Sequence, residues 1–208
     1  MTPLILFAAL LAPGGAALSD SLAGTYQIET MEVGGGLELA KDGHFRFGLA
    51  FGAVDEEAAG DWSVEGKTVR LTSKPMPKSP TFELVADDPA PKGELWLTVD
   101  WQSLRWTGGV DAIATDPSGA KGLVRAETDG RVDSGGHALA AIDPMVPVFG
   151  IPAGHFALSQ DRGHRLRLKF HANDLGHPAF QSEPLEIRGK DLIMNRYDTE
   201  IRFVRVRP

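Results

Sequence analysis

Four histidines, His155, His164, His171 and His177, fall within 23 residues, with Asp174 between the last two. Imidazoles joined by a carboxylate are the ligand types that Zn²⁺ takes in tetrahedral sites and Fe²⁺ in facial ones. If residues 156–158 pair with residues 166–170 as a hairpin, His155 and His171 lie near its open end. His164 then sits at the turn, too far away to join them. His171 and His177 approach across the loop HANDLGHP. The metal-ligand set offered by the sequence is therefore His155, His171, Asp174 and His177, and a metal-dependent hydrolase is the reaction class that would use it. The spacing matches no established metal motif. Solvated loop histidines are the competing reading.

The stretch GAVDEEAAGDW, residues 52–62, places Asp55, Glu56 and Glu57 together. Carboxylates are hard ligands for Ca²⁺ or Mg²⁺. In an extended chain, however, neighbouring side chains point to opposite sides, so three consecutive acids do not converge on one ion. There is no Asp-x-Asp ladder with a distal Glu. The stretch reads as a solvated hairpin loop, placed where it would ring a barrel mouth.

Trp96, Trp101 and Trp106 are five apart. An odd separation puts neighbours on opposite faces of a strand, so core and turn packing is expected rather than an aromatic platform. The chain has no G-x-S-x-G elbow, P-loop or G-x-G-x-x-G. The glycines of EVGGGLEL read as a bulge or a close backbone approach. Arg165, Arg167 and Lys169 share one face of a strand and, with Arg202, Arg205 and Arg207, would make a basic patch. No cofactor is expected.

The elements that must position these residues have a period of two. In LELAKDGHFRFGLAF, Phe45, Phe47, Leu49 and Phe51 alternate with His44, Arg46, Gly48 and Ala50 across an Asp-Gly turn. Trp62 and Val64 follow, and a second turn lies at Gly66. Further strand-like runs continue to residue 204, punctuated by DPSG, TDGR, DRGH and GK. Residues 133–154 read as irregular. The fold class is all-β: an antiparallel meander forming a barrel or sandwich. SKPMPKSP, residues 73–80, is the best connector, because proline cannot donate to a sheet ladder. It divides a β-meander over 20–73 from residues 81–208, which form either a second β-domain or a continuation of the same core.

Residues 1–19 read as a signal peptide: an apolar run over 3–12, a Pro-Gly-Gly break, then Ala17 and Ser19 in a small-x-small pattern before Asp20. The competing reading is a buried N-terminal helix. The run is too short for a membrane span, and none is expected later. The protein is expected in the periplasm or secreted. The net charge of -7 disfavours nucleic acid. Residues 160–208 carry 10 Lys and Arg against 7 Asp and Glu, so the acidic excess lies earlier. With no cysteine, disulfides, thiolate metal sites and cysteine nucleophiles are excluded.

The order Gly24-x-Tyr26, LELAKDGHFRF, Gly60-x-Trp62, Gly66 and VRL resembles the start of small secreted bacterial lipocalin-like domains, including those of the copper-resistance lipoprotein group, over residues 22–72. The resemblance implies a small barrel or half-barrel with a ligand-sized interior. The lipoprotein cysteine and the Cys-x-x-Cys of that group are absent, so no copper role carries over. A non-enzymatic role follows as the first expectation: binding a small apolar or amphipathic ligand, lined by Phe45, Phe47, Leu49, Phe51 and Trp62. An envelope protein-interaction or assembly module is the alternative, and the metal-dependent hydrolase comes third.

Overall fold

The computed structural model describes residues 19–206 apart from Ser103. The expected signal peptide lies outside the described residues except for Ser19, which opens a helical turn over 19–22. The described chain is nearly all β and divides into two compact units, one built from the residues before 77 with those after 177, the other from residues 77–177.

The first unit contains β1 (Gly24–Ile28), β2 (Val33–Leu39), β3 (His44–Phe51), β4 (Val54–Glu65) and β5 (Thr68–Ser73). The second contains β6 (Thr81–Ala90), β7 (Leu95–Asp100), β8 (Val110–Thr115), β9 (Lys121–Ala126), β10 (Arg131–Val132), β11 (Ala141–Val146), β12 (Ile151–Pro152), β13 (Phe156–Ala157) and β14 (Gly163–His171). The first unit then resumes with β15 (Glu183–Arg188), β16 (Asp191–Arg196) and β17 (Thr199–Arg205).

The first unit is a closed antiparallel barrel in the order β1-β17-β16-β15-β5-β4-β3-β2. The division expected at residues 81–208 is thereby revised. Glu183 pairs with Leu71 and Tyr26 with Arg205, so the last three strands complete the N-terminal meander. Closure removes both sheet edges. Local chemistry fixes the hairpins. Gly43 (φ +88°), Gly52 (φ +59°) and Gly66 (φ +59°) turn the chain between β2, β3, β4 and β5. Tyr197 and Asp198, both with positive φ, make the two-residue turn between β16 and β17. The GGG run is a close approach, as expected: a Cβ on Gly35 would stand 2.1 Å from the Gly48 carbonyl oxygen.

The acidic stretch is not a loop. β4 runs unbroken through it, paired with β3 from His44↔Asp61 to Phe51↔Val54. Asp55 and Glu57 face solvent and Glu56 faces inward, as a period of two requires.

The second unit is a curled nine-stranded sheet in the order β12-β11-β8-β9-β10-β7-β14-β6, with β13 on β11. β14 lies between β6 and β7 and runs parallel to β7, the one departure from an antiparallel arrangement among these pairings. The hairpin expected between residues 156–158 and 166–170 does not form, because β13 pairs with β11 instead. The stretch expected to be irregular, 133–154, contains β11 and β12. A separate core fills this unit. Phe82, Trp101 and Phe170 form its aromatic centre, with ring centroids 5.1–5.8 Å apart. Among the described residues no helix is long and apolar enough to cross a membrane.

Candidate functional site

The barrel interior is occupied by the protein's own side chains. Phe45, Phe47, Leu49 and Trp62 are buried, and Phe51 packs against them at the edge of the core. A ring from outside the strands joins them. Phe180 is held by Ser73, whose N–H donates to the Phe180 carbonyl at 3.0 Å and whose hydroxyl accepts the Phe180 N–H at 3.0 Å. The Phe180 ring meets Phe47 edge-on at 5.2 Å and Phe45 at 6.2 Å. Trp62 Nε1 donates to the Ala40 carbonyl at 2.8 Å. The five residues expected to line a ligand cavity thus pack on one another. An eight-stranded barrel is just wide enough for that.

One ionic group enters this interior. Glu56, 5% exposed, accepts two hydrogen bonds from Arg196 at 2.6 Å and one from the Tyr197 hydroxyl at 2.6 Å. Arg196 also lies over the rings of Phe180 and Tyr197, at 5.5 and 5.1 Å. Burial, then the hydrogen bond to Glu56 and its charge, push the Tyr197 phenol up to about 12. A charge taken from water needs such complete pairing. The cluster ties β4 to the β16–β17 turn.

The proposed metal set does not assemble. His155 Nδ1 faces Asp143 at 2.5 Å and His171 Nε2 faces Glu83 at 2.7 Å. Asp174 accepts the backbone N–H of Lys78 at 2.7 Å, and the backbone N–H of His177 donates to the Asp174 carbonyl. Among the described residues no three His, Asp or Glu side chains converge as metal ligands. The physical reason is the pairing of β14 with β6, which supplies its own carboxylates to the histidines of β14.

The basic patch is divided likewise. Arg165 covers the Trp96 ring at 4.8 Å and Arg167 meets Asp88 at 3.4 Å. Arg202 pairs with Asp191 at 2.6 Å, and Arg205 donates to the carbonyls of Ser21 and Ala23. Arg207 lies outside the described residues.

What the structure brings together instead is His164. It is 4% exposed and opens a cleft of about 140 Å³ in the second unit. Its Nδ1 stands 3.0 Å from both oxygens of Asp87, which also takes a two-pronged contact from Arg162 at 2.6 and 3.2 Å. Burial alone would raise the Asp87 pKa, but the hydrogen bonds of Arg162 and His164 outweigh it and hold the carboxyl below its usual range. The other nitrogen, Nε2, faces the Ser159 carbonyl at 3.1 Å and the Ser159 hydroxyl at 3.4 Å.

Ser159, His164 and Asp87 have the identities of a nucleophile, base and orienting acid. Their geometry differs from the working arrangement, in which Nε2 must offer a lone pair to the serine O–H. Here Nε2 is closest to a carbonyl, which only an N–H can satisfy. The Ser159 hydroxyl is directed to Asp161, whose carboxyl it holds below the usual range. The ring thus has an oxygen against each of its nitrogens. It pins the 159–164 turn to Asp87 rather than activating Ser159.

The elements around the cleft are tightly placed. A Cβ on Gly163 would stand 2.1 Å from the Pro91 carbonyl oxygen, so the 91–94 loop can lie directly on the start of β14. His164 N–H donates to the Glu94 carbonyl at 2.9 Å. Gln160 Nε2 bonds the carbonyls of Leu139 and Leu158 at 2.8 and 3.1 Å, which joins the opposite wall. Leu95, Leu139 and Leu158 give an apolar wall, and Lys92, Ser134 and His137 stand at the rim.

A second, more open cleft of about 400 Å³ lies on the barrel's outer surface, where Asp61 pairs with His44 and Lys74 at 2.9 and 3.1 Å. The side chains of Asp61, His44 and Lys74 are exposed and satisfy one another there. No protein-family model, curated protein or solved structure matches the chain.

Proposed function

We propose that the protein is an exported, non-enzymatic binding protein that carries a small amphipathic ligand in the cleft of its second unit. The observation that carries this reading is the pairing of an apolar wall with a fixed polar network in one recess. Small-molecule sites combine those features. The filled barrel supports a scaffold role for the first unit. Export is supported by the apolar run and small-residue pattern of residues 1–19, and the resemblance of residues 22–72 to secreted lipocalin-like domains bears on the barrel alone.

The interaction-module reading has less support. β6 pairs on one side only, with β14, and exposes Leu84 and Val85. Yet it carries Glu83, Asp88 and Pro89 and a register shift opposite Arg167, features that discourage edge-to-edge pairing.

Native mass spectrometry of the chain, purified without denaturant, tests the proposal. A ligand adduct should appear and be lost on denaturation. Ala138→Trp places an indole in the cleft from an exposed position and should abolish the adduct. An adduct that survives this substitution in a folded protein would contradict the cleft as its site.

A further inference from the structure

The cleft keeps basic donors at its rim although the chain is acidic. Lys92 and Arg162 line it, with the imidazoles of His137 and His164, against the single carboxylate of Glu94. Glu94 is turned toward Trp96, whose Nε1 donates to its Oε2 at 3.3 Å. Asp87 already pairs Arg162 and faces His164, so Lys92 is the lining cation left without a partner. Among the described residues, the side chains of Lys92 and His137 make no hydrogen bond or ion pair, so two rim donors are free. An unpaired lysine beside a free imidazole at the mouth of a recess offers a small anion charge-assisted hydrogen bonds.

Size and lining narrow the class. A cavity of roughly 150 Å³ admits one benzene-sized molecule, and this cleft is about 140 Å³. The wall of Leu95, Leu139 and Leu158 has nothing to offer a fully hydrated anion. An anion with a short hydrocarbon end satisfies both halves.

Resting on the reading of the cleft as the ligand site, we infer that it takes a short-chain monocarboxylate. The carboxylate is held at the rim by Lys92 and His137, and the hydrocarbon end lies on the leucines. The Asp87–His164–Arg162 network keeps the recess in shape beneath it.

The test uses the full chain labelled with ¹⁵N and three probes: butyrate, butyramide and inorganic phosphate. Butyrate should shift the amide signals of residues 92–95, 134–139 and 158–164. It should bind about tenfold more tightly than butyramide, the usual margin for a charge-assisted hydrogen bond, and more tightly than phosphate. Lys92→Gln, an exposed position, should bring the affinities for butyrate and butyramide to within about twofold. If butyramide binds as well as butyrate, or phosphate binds best, the inference is overturned while the cleft reading stands. If none of the three shifts these signals, or the shifts fall in the barrel strands instead, both fail together.

Discussion

Glu56 is the residue on which the barrel's interior turns. Its two oxygens take all the hydrogen bonds that Arg196 and Tyr197 direct at them. Removing one partner of such a pair strands the other charge, at a cost of about 3 kcal/mol, whereas replacing both by apolar groups is often neutral. Glu56→Gln should therefore lower the barrel's stability by about that amount. Glu56→Leu combined with Arg196→Met should cost less than the single change. Denaturant unfolding checks both. The pair also has a spectroscopic signature. The chain has two tyrosines, and both phenols are raised, Tyr26 chiefly by burial and Tyr197 up to about 12. A raised phenol contributes stability that is present below the unfolded value of about 10 and lost as pH rises through the folded one. Absorbance at 295 nm should accordingly show less phenolate between about pH 10 and 11 in the folded protein than in the unfolded one. Glu56→Gln should lower the Tyr197 transition toward that window, with burial still holding it above the usual value; no change would rule out the bond to Glu56.

Asp87 gives the opposite sign in the second unit. Its folded pKa is lowered, so its contribution is present above the unfolded value of about 3.9 and is lost as pH falls through the folded one. Trp96, Trp101 and Trp106 all belong to this unit, and their fluorescence reports its acid unfolding. Asp87→Asn should make the unit less stable at neutral pH and flatten the acid limb. An unaltered acid limb would show that Asp87 does not hold the turn.

At the scale of elements, β2 and β3 approach closely because of Gly35. The residue has φ +122°, and a Cβ there would meet the Gly48 carbonyl at 2.1 Å. Gly52, at φ +59°, has open space around it. Gly35→Ala should cost about 3 kcal/mol or prevent closure, while Gly52→Ala should cost about 1 kcal/mol. Equal effects would mean that the approach is not needed.

The local pairings were legible from alternation and turn chemistry. The Asp-Gly turn, the Gly66 turn, and the DPSG, TDGR and GK turns all join the strands on either side of them. The middle of β4 is not legible as strand because EEAAG consists of residues with weak strand preference; the period of two still places Glu56 opposite Asp55 and Glu57. The DRGH turn misled for another reason. The residues before it do form a short strand, but its partner is β11, not β14. Alternation tells which face a residue takes and not which strand it meets.

At the scale of the whole molecule, long-range pairing decides what the chain can do. β1 meets β17 and β5 meets β15, so the ends of the chain build one barrel and the middle forms a unit with its own core. Nothing local in the sequence announces either pairing. The same holds for the site: Asp87 and His164 are 77 residues apart and meet only because β14 lies on β6. The Phe-rich face of β3 has the pattern of a cavity lining; that the residues point inward is legible in the sequence, but the arrival of Phe180 to fill the space is not.

The central claim is that the second unit holds the ligand while the barrel is solid. It can be measured by joining the two parts of the barrel. Ser73 Oγ donates to the Pro178 carbonyl at 2.8 Å, so the ends to be joined are neighbours. A chain in which residues 77–177 are replaced by a short Gly-Ser linker should be compared with the full chain by native mass spectrometry, after circular dichroism confirms that it is folded. The account predicts an adduct on the full chain and none on the shortened one. A folded barrel that still carries the adduct would contradict it.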